Sequence, residues 1–477
     1  TPEWLSFFLV HFAEHADYLS KYKYAGENNI LLSQAVALVF AGTLFPELKN
    51  ASQWQKTGCD IINDQTSKLF LEDGMTNDLS LHYHIGILDG LYDLKRLLLL
   101  NKVPENLLSP NLNEVLLKAA KVVMHFTYPS YFTKNSKDCS PAFNDSWVKT
   151  RSVLNKNFKK YMEMFPDDKE IQWMATEGKQ GTKPTELVQI YDASGYYMLR
   201  SGWESNATMM ILKNNNNPEN KWHCQADNGT FGLYRNGRNF CPDAGVYTYG
   251  GTSSSNADRA AFAATKMHNT MTREEKDIAK GYMSGKFLKQ ETKKGTNILV
   301  TENKSYSDLT HRRAVFFVDN TFFVLVDEGY GEGSTPSVNL SFNLCPDTKD
   351  VAIDDESANY QYGAHTLFTD NNNMLFRTFV ETKAGYSATN STAYTSNKIE
   401  EKTQRRFYRV NITKPENGAA RFITVIYPFK TEADFEKINI DAKFIDNTET
   451  SAGTFHENGA AVEVTIDGQK YELSYTL

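Results

Sequence analysis

Apolar residues early in the chain recur at the three- and four-residue spacing of helices, and later ones fall in short strand-like runs. Residues 4–22 mix apolar and polar positions at helical spacing. Residues 29–45 are apolar on nearly every side, with Ile30, Leu31, Leu32, Ala35, Val36 and Leu38 in one stretch, as expected of a helix inside a helical layer. Further helices are predicted over 51–70, 79–100 and 112–126. One more opens at Pro166-Asp167-Asp168, with proline near its first turn and acids at the positive end of its dipole. After the polar stretch 178–184 the period changes. Short β-rich runs follow at 195–201, 208–212, 314–318, 322–326 and 421–427, with hairpin turns at Asn236-Gly237, Asp319-Asn320 and Asp467-Gly468. Around the last turn Val462, Val464 and Ile466 alternate before it, and Tyr471, Leu473 and Tyr475 after it.

This order predicts an α + β multidomain chain. Residues 1–178 form helical hairpins of α/α toroid or solenoid type, and residues 185–477 form an antiparallel β-sandwich whose last ~70 residues make a small terminal sheet. The helical half is short for a full toroid, so an incomplete one is expected.

Composition narrows the function classes. A net charge of −7 argues against a nucleic-acid binder, which needs clustered Lys and Arg, while leaving room for a local basic cleft on a polyanion. No apolar run approaches a membrane span. The 25 Tyr and 29 Phe fit a β-rich core or grooves that stack on sugars. Cys59, Cys139, Cys224, Cys241 and Cys345 lack zinc-finger spacing and read as buried thiols.

Candidate chemistry concentrates between residues 223 and 270. His223-Cys224-Gln225-Ala226-Asp227 leads through Pro242-Asp243-Ala244-Gly245 to His268-Asn269-Thr270. Gln225, Asp243 and His268 are of metal-ligand or acid–base type, although a capped turn and a core histidine would leave the same pattern. In the helical half, Asn28 or Asn29 reads as a helix cap. Asn29 also sits where a helix dipole and free N–H groups favour an anion. Tyr83 lies off the apolar stripe of Leu81, Ile85, Leu88 and Tyr92.

Taken together, several of these stretches resemble the heparinase II/III group of polysaccharide lyases. They are Gly26-x-Asn28-Asn29 with Phe45-Pro46-Glu47-Leu48, Asp73-Gly74 with Ser80-x-x-Tyr83-His84, Ser194-Gly195-Tyr196-Tyr197-x-x-Arg200, His223-x-Gln225-x-Asp227, Pro242-Asp243-Ala244-Gly245 and His268-Asn269-Thr270. Asn29 is most similar to the heparinase III branch. The resemblance implies a toroid joined to a sandwich, and cleavage of a heparan-sulfate-type acidic polysaccharide by β-elimination. Asn29 would neutralise the uronate carboxylate, with Tyr83 and His223 as acid and base. Gln225, Asp243 and His268 would hold one structural divalent ion, zinc or calcium. His84, Arg200, Tyr249 and Arg259 are candidate sugar or sulfate contacts. A periplasmic or secreted bacterial setting is implied as well. The alternatives are an alginate or other uronate lyase of the same build, a non-catalytic glycan-binding relative, and a hydrolase using paired carboxylates among Asp73, Asp78 and Asp89.

Overall fold

The computed structural model describes residues 1–217, 223–446 and 453–477. These residues divide into two compact units, 1–125 with 152–183 and 126–151 with 184–477.

The first unit is helical: α1 (Pro2–Lys21), α2 (Asn29–Leu44), α3 (Ala51–Leu69), α4 (Leu81–Leu100), α5 (Leu112–Phe126), α6 (Arg151–Met164) and α7 (Lys169–Ala175). The evenly apolar α2 buries Leu32, Ala35, Leu38, Val39 and Ala41. It packs closely on α3, where a Cβ added to Gly58 would lie 2.5 Å from the Ala35 carbonyl oxygen. Trp54 of α3 joins Ala16 of α1 and Leu38 of α2 in one apolar cluster. Its indole N–H donates to Asp17 Oδ1 at 2.7 Å, so the buried polar atom of a large side chain is satisfied.

Residues 126–151 lie in the stretch that the helical pattern assigns to the first unit, yet they pack with the second. They contain little regular structure but many aromatic rings. Phe126 meets Tyr196 edge-on at 4.8 Å, and Tyr128 stacks on Tyr234 at 5.2 Å.

In the second unit, β1 (Val188–Tyr191), β2 (Tyr196–Arg200), β3 (Thr208–Lys213), β4 (Phe231–Arg235) and β5 (Arg238–Asn239) form an antiparallel sheet in sequence order. After α8 (Ser253–Ala263) come β6 (Met271–Arg273), β7 (Gly285–Lys293), β8 (Thr296–Tyr306), β9 (Leu309–Val318), β10 (Phe322–Tyr330) and β11 (Ser337–Asn343). The chain continues through β12 (Val351–Glu356), β13 (Gln361–Thr366), β14 (Asn373–Val380), β15 (Ser387–Lys398), β16 (Glu401–Thr413) and β17 (Ala419–Phe429). It ends with β18 (Ile440–Phe444), β19 (Gly459–Ile466) and β20 (Gln469–Thr476). An eight-stranded sheet runs β12-β13-β14-β17-β10-β9-β8-β7, a four-stranded one β15-β16-β11-β6, and a three-stranded one β18-β19-β20.

The eight-stranded sheet is the middle layer. Leu299, Val315, Phe317, Phe323 and Leu325 point into a core shared with the first and the four-stranded sheets. The alternate residues Ile298, Val300, Phe316, Val324 and Val326 point into a second core beneath the terminal sheet, with Val462, Val464 and Ile466. Burial on both faces is why runs such as Ala314-Val315-Phe316-Phe317-Val318 show no polar alternation.

Between the middle layer and the terminal sheet lies one buried ionic cluster. Arg421 Nε donates to Glu328 Oε1 at 2.9 Å, and its two terminal nitrogens reach Glu381 at 3.2 Å and Asp446 at 2.7 Å. Tyr475 donates to Glu328 at 3.1 Å. Burial pushes the Glu381 carboxyl from its ordinary 4.5 up to about 7, against the pull of Arg421. A carboxyl whose pKa is raised on folding favours the folded state most below the unfolded value, and that contribution is lost as pH rises through about 7. A gap of that size corresponds to about 3 kcal/mol. Glu381→Gln should therefore flatten the pH dependence of unfolding free energy between pH 5 and 8 by about this amount, as read by denaturant titration at several pH values.

Candidate functional site

The helical unit presents two of the predicted residues together. Asn28 is the N-cap of α2; its Oδ1 accepts from the N–H of Ile30 at 3.0 Å and of Leu31 at 3.3 Å. The cap role thus falls to Asn28, and these two N–H groups are taken. The side chain of Asn29, the next residue, is then a candidate for a ligand near this helix start. Asn29 lines a cavity of about 370 Å³ between α2 and α4, together with Ser33, His82, Tyr83, Gly86 and Gly90.

His84, one position beyond Tyr83, does not belong to this cavity. It is fully buried, accepts from the N–H of Thr76 at Nδ1 (3.2 Å) and donates from Nε2 to the carbonyl of Ala119 at 2.8 Å. Burial depresses its pKa to about 4. The expectation that it contacts sugar is therefore corrected: one residue along a helix turns a side chain by about 100°, from the cavity wall into the core. Arg200 is corrected likewise. It is 1% exposed on β2, with its guanidinium 3.7 Å from the Trp203 ring, and burial lowers its pKa to about 9.

In the second unit the loop after β3 carries His223, held in a left-handed conformation (φ 76°). Its Nδ1 lies 2.9 Å from Asp145 Oδ2, and Arg259 of α8 donates to the same oxygen at 2.6 Å. Arg259 also donates to the Thr248 carbonyl at 3.2 Å, and its guanidinium lies 4.7 Å from the Tyr249 ring. Trp147 meets Tyr249 edge-on at 5.5 Å. His223, Arg259, Tyr249 and Trp147 thus form one partly exposed group around the buried carboxylate of Asp145. Neither Asp145 nor Trp147 stands out in the sequence.

Deeper in the same unit three side chains converge. Potential ligand atoms of Asp227, Asp243 and His268, all buried, lie within 4.8 Å of one another. His268 Nδ1 is 2.9 Å from Asp243 Oδ2 and 3.4 Å from Asp227 Oδ2. Burial opposes a charge on His268, but the carboxylates of Asp243 and Asp227 outweigh it and raise its pKa. Asp243 is shaped by its turn: its Oδ1 accepts from the Gly245 N–H at 2.9 Å. Gly245 has φ 75°, and a Cβ there would meet the Ser396 carbonyl at 2.4 Å, so only glycine fits. Asp227 is the member that sequence reasoning passed over. Gln225 is beside the group, with its amide nitrogen donating to the carbonyls of Asn144 (3.2 Å) and Gly245 (3.3 Å).

The donor set fits a divalent ion. Gln225 Oε1, Asp227 Oδ2 and His268 Nε2 are buried and have no hydrogen-bond partner among the described residues. Three orphaned acceptors of this kind are costly unless something positive meets them. Lys213 Nζ occupies the other oxygen of Asp227 and leaves Oδ2 available.

Residues 1–173 match the heparinase II/III N-terminus family model, and residues 183–441 the heparinase II/III-like C-terminal model. The chain belongs to the heparinase II/III family. It is 45% identical over 489 residues to a heparin-sulfate lyase of Bacteroides thetaiotaomicron, covering 100% of this chain and 67% of that protein. A heparin-sulfate lyase of Bacteroides stercoris is 33% identical, with coverages of 100% and 67%. A crystal structure of heparinase III superposes with a TM-score of 0.92 at 43% identity, covering 100% of this chain and 72% of that one.

The buried His84 gives a test that separates core from cavity. A histidine whose folded pKa is depressed supports the fold above its unfolded value, near 6.5, and that support is lost as pH falls toward 4. His84→Gln should cost roughly 1–3 kcal/mol at pH 7 through poorer hydrogen bonds. It should also weaken the loss of stability between pH 7 and 4, and leave KM for any glycan near its original value.

Proposed function

We propose that this member of the family is a polysaccharide lyase that cleaves heparan-sulfate-type chains by β-elimination and leaves an unsaturated uronate at the new end. The observation that carries the reading is that Asn29 of α2 and Tyr83 of α4 line one cavity, in a chain that matches the family in both units.

The chemistry asks for these residue types. The proton beside a charged uronate carboxylate is very weakly acidic. A donor on that carboxylate stabilises the dianion that forms as the proton leaves, and with Ile30 and Leu31 already capped this role goes to the Asn29 amide. A base removes the C5 proton, its electron pair becomes the C4–C5 double bond, and the C4–O bond breaks. The departing oxygen takes a proton from an acid. A phenol with an ordinary pKa near 10 is an acid at neutral pH without adjustment, so Tyr83 is assigned as general acid. For glucuronate, where both groups lie on one face, Tyr83 serves as base in its phenolate form: it takes the C5 proton and passes that same proton to the departing C4 oxygen, ending as the phenolate it began. For iduronate the base is His223. Tyr249 and Arg259, partly exposed beside His223, are assigned to sugar and sulfate contacts.

Asp227, Asp243 and His268, with Gln225, are assigned to one structural divalent ion. Imidazole favours zinc, whereas carboxylate and amide oxygens favour calcium. Such an ion would supply a rigid cross-link between loops, and no proton transfer is assigned to it. Among the described residues no helix is long and apolar enough to cross a membrane. The setting proposed is periplasmic or secreted.

Heparan sulfate incubated with the protein should develop the ultraviolet absorbance of the new double bond, and alginate, chondroitin sulfate and hyaluronan should develop far less. Tyr83→Phe should lower the rate by on the order of 10²-fold or more, and Asn29→Ala by a similar factor. An undiminished rate in Tyr83→Phe would overturn the assignment, and binding without absorbance would point to a glycan-binding protein. Chelation should lower the melting temperature by a few degrees, corresponding to about 2–3 kcal/mol for an ion present at 100 times its Kd. The Asp227→Asn variant should show little response to the chelator.

A further inference from the structure

Asp145 lies 78 positions before His223 in an aperiodic segment, yet the two residues are joined at both backbone and side chain. The Asp145 N–H donates to the His223 carbonyl at 3.0 Å, and Asp145 Oδ2 lies 2.9 Å from His223 Nδ1. The neighbours repeat the pattern. The Gln225 N–H donates to Asn144 Oδ1 at 2.9 Å, and its side-chain amide donates to the Asn144 carbonyl at 3.2 Å. Asn144 in turn donates to the Tyr196 hydroxyl and to Asn215 Oδ1, each at 3.1 Å. Both Asn144 (φ 60°) and His223 (φ 76°) have left-handed backbones, which residues other than glycine hold only where their surroundings enforce them.

A carboxylate accepts hydrogen bonds and cannot donate them, so the contact with Asp145 requires the proton of neutral His223 to sit on Nδ1. Nε2 is then the basic nitrogen of the ring. Asp145 is only 4% exposed, and its charge is matched by Arg259, which donates to the same Oδ2 at 2.6 Å. We infer that Asp145 is the positioning residue of His223: it fixes the imidazole's orientation and tautomer so that Nε2 faces the reaction, while its second bond holds Arg259 beside the ring. This rests on His223 being the acid–base group proposed above.

The test combines kinetics with imidazole ¹⁵N NMR on the full chain labelled at histidine, with the His223 signal identified by its loss in His223→Gln. The native protein should show a protonated Nδ1 and a bare Nε2 at His223 at a pH where the ring is neutral. In Asp145→Asn this preference should collapse or reverse. On an iduronate-containing substrate kcat should fall on the order of 10²-fold with a smaller change in KM. Asp145→Glu keeps the acceptor and should restore the tautomer and most of kcat. An unchanged His223 tautomer in Asp145→Asn overturns the inference, as does a kcat loss that Asp145→Glu fails to recover while circular dichroism shows both variants folded. If His223→Gln leaves elimination intact, the acid–base reading of His223 fails by itself. The tautomer comparison still decides whether Asp145 sets the ring. Should Asp145→Asn not fold, the native tautomer and the Asp145→Glu comparison settle the matter on the same criteria.

Discussion

Three buried cations hold the loops on which the second unit's chemistry depends, and they do so largely through backbone carbonyls. Arg405 donates to the carbonyls of Pro242 (2.5 Å) and Met267 (2.8 Å), the residues just before Asp243 and His268. Arg313 donates to the carbonyls of Gly229 and Asn269, close to Asp227 and His268. Lys213 reaches the Gln225 carbonyl at 3.3 Å and the Asp227 carboxylate. A loop without a regular ladder leaves its carbonyls in need of donors, and a buried guanidinium offers several in a fixed fork. Two of the charges find their counterparts within the same network. Arg313 pairs with Asp327, which His311 also contacts at 2.7 Å, and Lys213 pairs with Asp227. Removing one partner of such a set would strand a charge in the interior, which is far costlier than an exposed pair lost at the surface.

This explains why the central sheet, though mostly apolar, carries arginine, aspartate and histidine on β9 and β10. Arg313 and Asp327 face each other in register across these strands. At one end of the pair the sheet contributes side chains to the loops around the Asp227, Asp243 and His268 group. Through Glu328 and its contacts with Arg421 and Tyr475 it fastens the terminal sheet. The same strands form two apolar cores and supply the polar posts between them.

Much of the architecture was legible because it rests on local rules. The apolar residues Leu32, Ala35, Leu38 and Val39 of α2 are buried as its pattern predicts, whereas Ile30 and Leu44 are exposed. The turn at Asn236-Gly237 adopts positive φ at both residues (42° and 89°), as does Asp467-Gly468 (51° and 84°), in keeping with hairpin turns that match strand twist. The motifs single out Asn29 and Tyr83, which line one cavity, and Asp243 and His268, which converge in the second unit. What could not be read depends on approach in space. Asp227 reads as one more polar residue in a turn until His268 and Asp243 arrive from elsewhere in the chain. His84 is adjacent to Tyr83 in sequence and points the other way, which a motif of consecutive letters cannot express. Asp145 lies in a segment with neither helical nor strand period, and its importance comes from a loop it meets 78 residues later.

That segment also bears on how the molecule can be taken apart. The chain leaves the helical unit at 125, returns at 152 and leaves again at 183, so the two units are linked by three covalent crossings instead of one. A cut at the apparent linker would not release an intact second half. Expressed from Pro184 onward, that half would lack Asn144 and Asp145, and with them the partners of Gln225 and His223. For this fold the divisible piece in sequence and the divisible piece in space are different objects. A recombination or truncation that respects only the sequence would carry the histidine away from the carboxylate that orders it.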